Sequence, residues 1–126
     1  MGKSNLTVPF EQLVEARVGR DEAFAMGLLE EAAQCLLSGE LGTARNLIRN
    51  VIKGSIGYAE LSRRTGTPET SLIRMFGPTG NPTAENLSSV FAHLQHAGGV
   101  ELRVSTVILP RRRPARRTMK ASRRVA

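Results

Sequence analysis

Glycines divide the middle of this sequence into short stretches, and this punctuation constrains the fold more than any other feature. Each stretch repeats its apolar residues at intervals of three and four, the spacing of one face of an α-helix. Each stretch then ends at a glycine, which adopts the left-handed conformation of a helix C-terminus without strain. These glycines are Gly39, Gly54, Gly66, Gly77 and the pair Gly98-Gly99. The pattern predicts an all-α protein of short helices around a shared core.

The helix boundaries follow from these stretches and from capping residues. Asp21 is a candidate N-cap for the first long helix. For the last helix, either Thr83 or Asn81 can serve as the cap. We expect main helices at residues 21–38, 41–53, 58–65, 68–76 and 84–97, with a weaker helical piece at 15–17.

Residues 100–104 alternate apolar and polar side chains, as a half-buried β-strand does. A single strand cannot form a sheet, so it needs a partner strand. That partner is either residues 6–8 of the same chain or the same strand of a second subunit. Pairing across a homodimer is the interpretation we favour.

Positive charge is concentrated at the C-terminus. The chain has a net charge of +7, but residues 110–126 contain eight basic residues and no acid. Residues 1–109 are therefore nearly neutral, and the high pI alone does not indicate that the folded part binds nucleic acid. We expect the tail to be disordered, and either to aid solubility, to be a reading-frame extension, or to attract DNA phosphates without sequence preference. Its first five arginines are Arg111, Arg112, Arg113, Arg116 and Arg117.

Several functional classes are not expected. The sequence has neither an apolar run of membrane-spanning length nor a secretory signal, which predicts a cytoplasmic protein without membrane contact. It has no P-loop, dinucleotide fingerprint or nucleophile elbow, so we expect no enzyme, cofactor or small-molecule ligand. Cys35 falls on an apolar helix face and is expected to be buried. His93 and His96 lack further ligands nearby in sequence, so we expect exposed side chains and no metal site.

The two short helices on either side of Gly66 have the dimensions of a helix-turn-helix unit. Such a unit needs a small residue in the first helix and inward aliphatic residues in the second. Ser62 meets the first requirement, and Leu72 and Met75 meet the second. The alternative reading is a helical hairpin within an ordinary bundle.

If the second helix enters a DNA major groove, its outward residues would read base edges. The residues expected to contact bases are Glu69, Thr70, Ile73 and Arg74. Arg74 is the first candidate, because a guanidinium forms bidentate bonds to guanine. The residues expected to contact phosphates are Arg63, Arg64, Thr67, Ser71, Thr79 and Asn81.

The segment "TGTPETSLIRMFGPTGNPT", residues 65–83, resembles the antidote (antitoxin) proteins of addiction modules, which belong to the Xre-type, lambda-repressor-like helix-turn-helix group. Residues 58–105 follow the family layout, including a short strand after the last helix. Ser62 replaces the family's usual alanine, and the Arg-rich tail is outside the family pattern. The resemblance implies a five-helix lambda-repressor-like domain with N-terminal helices and one C-terminal strand. We assign residues 1–40 to an N-terminal helical segment, 41–109 to the DNA-binding domain and 110–126 to the tail.

The resemblance also implies a function. Such proteins bind inverted-repeat operator DNA as homodimers, repress their own operon and neutralise a toxin. The sequence therefore predicts a transcriptional repressor that is the antitoxin of a type II toxin–antitoxin system. Two alternatives stay open: a stand-alone phage- or host-type regulator without a toxin, and a toxin-inhibiting interaction module that no longer binds DNA.

The N-terminal part is acidic, and this bears on a protein partner. Residues 1–42 have a net charge of −4. Such a surface is either a solvated face or a docking site for a basic toxin, by charge complementarity.

Overall fold

The computed structural model describes residues 9–110, which form six α-helices joined by short connections. The helices are α1 (Phe10–Arg20), α2 (Glu22–Leu37), α3 (Leu41–Gly54), α4 (Gly57–Thr65), α5 (Glu69–Met75) and α6 (Ala84–Gly98). The prediction of a helical fold is therefore confirmed for these residues. None of the described helices is both long enough and apolar enough to cross a bilayer. The candidate strand at residues 6–8 lies outside the described part of the chain.

Side-chain caps begin two of the helices. The Asp21 carboxylate accepts a hydrogen bond from the Phe24 backbone N–H at 3.1 Å, as the sequence predicts. That bond lowers the pKa of Asp21, and the Arg17 guanidinium beside it lowers it further, against the effect of desolvation. At α6, the Thr83 hydroxyl accepts from the Asn86 N–H at 3.1 Å. Of the two candidate caps for the last helix, Thr83 is therefore the one used.

One continuous apolar core joins α2 to α6. Its most deeply buried large side chains come from α3, α4, α5 and α6 and from the residue after α5. They are Phe76, Ile48, Ile52, Leu61, Leu72 and Val90. Leu29 and Ala32 of α2 belong to the same cluster. Burial of each aliphatic side chain of this size contributes about 1.5–3 kcal/mol, so the core holds the short helices that could not be stable alone.

The N-terminal helix is longer than the sequence predicts, because it depends on contacts made across the fold. α1 covers 11 residues, whereas the apolar pattern indicates only a short piece at 15–17. It packs so close to the end of α3 that a Cβ at Gly54 would lie 2.6 Å from the Glu15 carbonyl oxygen and 2.6 Å from the Val18 Cβ. The Lys53 ammonium also pairs with Glu15 at 3.3 Å. A glycine expected only to end a helix thus allows two helix backbones to meet.

The predicted C-terminal strand is not confirmed. Residues 100–110 have no regular secondary structure, because the described part of the chain offers no second strand to pair with them. The beginning of the segment is nevertheless attached to α6. The Gln95 side-chain carbonyl accepts from the Leu102 N–H at 2.7 Å, and Leu102 packs against the core.

Cys35 is buried, as expected from its place in the apolar stripe of α2. Burial raises the pKa of its thiol, and the carboxylates of Glu31 and Glu40 raise it further. A thiol with a raised pKa is mostly protonated at neutral pH and is a poor nucleophile. Cys35 therefore acts as a small core residue.

Candidate nucleic-acid interface

A short, well-bonded turn joins α4 to α5. Gly66 ends α4 with φ of 81°, a left-handed conformation, and its N–H donates to the Ser62 carbonyl at 2.8 Å. The Ser62 hydroxyl donates to the Thr67 carbonyl at 2.6 Å, and the Thr67 N–H donates to the Thr65 hydroxyl at 3.2 Å. Ser62 is therefore more than a small residue at a helix crossing, because its hydroxyl fixes the turn that orients α5.

The inward side of α5 is anchored in the core. Leu72 is 1% exposed and Phe76, directly after the helix, is fully buried. Met75 is half-buried and packs against the same cluster. The prediction that Leu72 and Met75 face inward is confirmed.

The opposite side of α5 faces solvent and brings the predicted base-reading residues together. The four exposed residues are Glu69, Thr70, Ile73 and Arg74. Ile73 is 47% exposed, although an aliphatic side chain of this size usually lies inside. An acid, a hydroxyl, a methyl-rich side chain and a guanidinium thus share the exposed side of α5.

Four of the predicted phosphate contacts lie on or beside α5. Thr67 precedes the helix and is half-buried, and Ser71 within it is also half-buried. Thr79 and Asn81 are exposed in the loop that follows, residues 76–83. These side chains flank the exposed face of α5 at its start and after its end.

Two arginines of α3, which the sequence reading missed, hold the loop at residues 76–83. Arg45 donates through Nη1 to the Gly80 carbonyl at 3.1 Å and through Nη2 to the Pro78 carbonyl at 2.9 Å. Arg49 donates to the Phe76 carbonyl at 3.1 Å. Arg45 and Arg49 are four residues apart and lie next to the apolar stripe of α3, which indicates that both are on one side of the helix. The sequence does not reveal their partners, because these are backbone carbonyls more than 25 residues away.

Gly80 brings this loop against the end of α5. A Cβ at this position would clash with the Met75 carbonyl group and with the Arg74 carbonyl oxygen. The Gly80 N–H also donates to the Gly77 carbonyl at 3.0 Å. The loop therefore needs a glycine here for lack of space, not for a left-handed backbone.

The other two predicted phosphate contacts, Arg63 and Arg64, are on α4 and line a pocket that includes no residue of α5. Both are exposed at the end of α4, where Glu60 bonds to the Nε of Arg63 at 3.0 Å and to the Nε of Arg64 at 2.8 Å. These hydrogen bonds, first from Arg63 and then from Arg64, lower the pKa of Glu60 to about 2. The hydrogen bond to Glu60 also raises the pKa of Arg63. Instead of α5, the two arginines face His93 and His96 of α6.

Some predicted features have no counterpart that the structure can describe. The tail arginines Arg111, Arg112, Arg113, Arg116 and Arg117 lie outside the described residues. Within residues 9–110, no three His, Cys, Asp or Glu side chains group together as a metal site.

Comparisons of the chain with protein-family models, with curated proteins and with solved structures give no match. The function must therefore be argued from the chain's own geometry and from the sequence motif at residues 65–83.

Proposed function

We propose that this protein is a sequence-specific DNA-binding transcriptional repressor that uses α4 and α5 as a lambda-repressor-like helix-turn-helix. The exposed face of α5 is the observation that carries the proposal. Ile73 is 47% exposed between Thr70 and Arg74, on a helix held by a buried leucine and phenylalanine. In this proposal the exposed methyl groups of Ile73 contact the methyl group of a thymine, beside the polar groups of Thr70 and Arg74.

In this proposal, the roles of individual residues follow from their chemistry. Arg74 donates to guanine, Glu69 accepts from cytosine, and Thr70 and Ile73 contact thymine methyl groups. The hydroxyls and amide beside α5 contact phosphates and set the position of the helix without reading sequence. Arg63 and Arg64 add charge-based phosphate contacts. The residues beside α5 are Thr67, Ser71, Thr79 and Asn81.

The protein acts as a homodimer in this proposal, with its operator an inverted repeat. Two recognition helices related by twofold symmetry contact half-sites about 34–36 Å apart. The segment after α6 supports the dimer, because Val104, Val107, Ile108 and Leu109 are 74–94% exposed. Exposed apolar residues on a segment without regular secondary structure are suited to pairing with a second copy.

We propose further that the repressor is the antitoxin of a type II toxin–antitoxin module. Three exposed acids of α2 and one directly before α3 support this, since exposed negative charge is suited to a basic toxin. They are Glu22, Glu30, Glu31 and Glu40. A stand-alone regulator fits α5 equally well, and the two differ in one respect: an antitoxin co-purifies with the product of an adjacent gene.

Selection of bound sequences from random DNA duplexes tests the DNA-binding proposal. The full-length protein should enrich an inverted repeat whose half-sites lie 10–10.5 base pairs apart or a multiple of that. Enrichment of no motif, with binding only at low salt, would mean that DNA is held by charge alone. In that case an interaction module without DNA readout becomes the better account.

A further inference from the structure

An open pocket lies between α4 and α6, apart from the exposed face of α5. We call it the Arg–His pocket, lined by Arg63, Arg64, His93, His96 and Ala97. It contains no residue of α5, and four of its five lining side chains are cationic or can become so. The recognition face of α5 does not account for this concentration of basic groups.

Glu60 pairs with both arginines of the pocket. It bonds to the Nε of both Arg63 and Arg64, so one carboxylate restrains two guanidinium groups. Neither Nη of Arg64 has a hydrogen-bond partner among the described residues. Because two guanidiniums share one carboxylate, these three groups together keep a charge of about +1 at any physiological pH.

The two histidines can add positive charge to the pocket when they are protonated. The Nδ1 of His93 lies 2.8 Å from the Ser89 carbonyl, which can only accept, so Nδ1 carries the hydrogen and Nε2 is the free nitrogen. His96 lies in the last turn of α6, where the helix dipole favours a cation. Imidazole groups change charge between about pH 5 and 8. The pocket, counted with Glu60, carries about +1 when both rings are neutral and about +3 when both are protonated.

No other charged side chain lines the pocket in the described part of the chain. α4 contributes Glu60, Arg63 and Arg64, all bonded as above. The segment that follows α6 contributes Glu101 and Arg103, which pair with each other at 3.1 Å and do not line the pocket. The histidines thus share the pocket with two guanidiniums, both paired with the Glu60 carboxylate.

We propose that the Arg–His pocket binds a backbone phosphate of the DNA that α5 reads, and that protonation of His93 and His96 tightens this contact. The proposal rests on the proposed function. A phosphate oxygen accepts from guanidinium and imidazolium N–H groups alike, and its charge favours the protonated rings. Two of the pocket's arginines, Arg63 and Arg64, are on the helix that leads directly into the Gly66 turn. In this proposal the bound phosphate belongs to the duplex that α5 reads.

Binding of the full-length protein to two duplexes, the selected operator and an unrelated sequence, tests this at pH 6 and pH 8 and constant ionic strength. We expect the wild type to bind both duplexes about tenfold more tightly at pH 6, because protons are taken up with the phosphate. The double variant His93→Gln/His96→Gln should lose most of this difference and keep its preference for the operator. Arg64→Gln should weaken binding at both pH values, whereas Arg103→Gln, an exposed arginine outside the pocket, should not.

The outcomes separate this proposal from the proposed function. An unchanged pH dependence in the double histidine variant, with sequence preference intact, overturns the pocket alone. Absence of preferential binding by the wild type overturns both. Polyglutamate and unrelated DNA of equal charge are compared as competitors. If polyglutamate competes as well as the DNA does, the pocket binds carboxylates, and its assignment to phosphate is overturned. Urea unfolding at both pH values shows whether each variant is folded.

Discussion

At the scale of single residues, one glycine position of this chain requires a glycine and another does not. Gly80 has no room for a side chain, since a Cβ there would clash with the Met75 carbonyl. Gly27 lies within α2, and apart from its chain neighbours and its own helix backbone no heavy atom lies within 4 Å of the place a Cβ would take. The first is required by packing, and the second only makes the helix less stable.

Replacement of these glycines by alanine should therefore change stability in opposite directions. Gly80→Ala should lower the free energy of unfolding by about 2 kcal/mol or more, because the loop must move away from α5. Gly27→Ala should raise it by about 0.5–1 kcal/mol. Urea unfolding measures both, and equal effects at the two positions would contradict the packing described around Gly80.

Glu60 offers a second prediction at this scale. Its pKa is lowered to about 2, so it is charged and paired above that value, and the pairing is lost only as the pH falls through about 2. Glu60→Gln releases Arg63 and Arg64, and should strengthen binding to unrelated DNA. One additional phosphate contact would steepen the dependence of log K on log salt by about 0.9.

The same gain from Glu60→Gln is expected at pH 5 and at pH 8, because Glu60 is ionised at both. Glu85→Gln, which neutralises an exposed acid in the first turn of α6, is the matched control for lost negative charge. If both variants strengthen binding equally, net charge and not the release of the two arginines is responsible.

At the scale of elements, the position of α5 depends on α3. Arg45 donates to two carbonyls of the loop that follows α5, and Arg49 donates to the carbonyl of Phe76, directly after α5. These arginines hold the loop that follows α5 without lying on the exposed face of α5. Such charge-assisted bonds contribute about 1.5–3 kcal/mol each when well shielded, and less here because the site is partly exposed.

Arg45→Met keeps the aliphatic part of the side chain and removes both bonds. We expect a loss of about 1–2 kcal/mol in unfolding free energy and faster amide exchange in residues 76–83. Arg20→Met is the control, since no hydrogen bond or ion pair of Arg20 is found among the described residues. Unchanged exchange rates in Arg45→Met would show that the loop is held by packing alone.

How far the sequence predicts these elements depends on the range of the contacts that form them. The main helices follow from local periodicity and caps, and the exposed face of α5 follows because Leu72 and Met75 occupy the other side. The full length of α1 does not follow, since it depends on its contact with Gly54. The Arg–His pocket also escapes prediction, because it requires knowing how α4 crosses α6.

At the scale of the whole molecule, the described chain ends in an exposed apolar segment. Val104, Val107, Ile108 and Leu109 are all at least 74% exposed, and Ile108 reaches 94%. A single copy leaves these side chains in water, so burial against a second copy would stabilise a dimer. The proposed twofold operator requires the same association.

Ile108→Lys should shift the protein from dimer to monomer. It puts a charge in place of the most exposed large apolar side chain of the described residues. Folding of the single chain should not change, since Ile108 has few contacts within it. Ser105→Lys adds the same charge to the segment without removing an apolar side chain. Sedimentation velocity distinguishes the species, and a wild type that is monomeric at micromolar concentration would rule out this dimer.

The central claim is that α5 reads DNA sequence, and Arg74 tests it most directly. The measurement is the affinity of wild type and Arg74→Ala for the selected operator and for operators with one guanine per half-site replaced. We expect Arg74→Ala to lose about 1–3 kcal/mol per half-site on the operator and to bind the replaced sites no worse than the original. Arg103→Ala, which removes an exposed arginine elsewhere, should keep the preference. If Arg74→Ala retains wild-type affinity and preference at moderate salt, α5 is not the recognition helix.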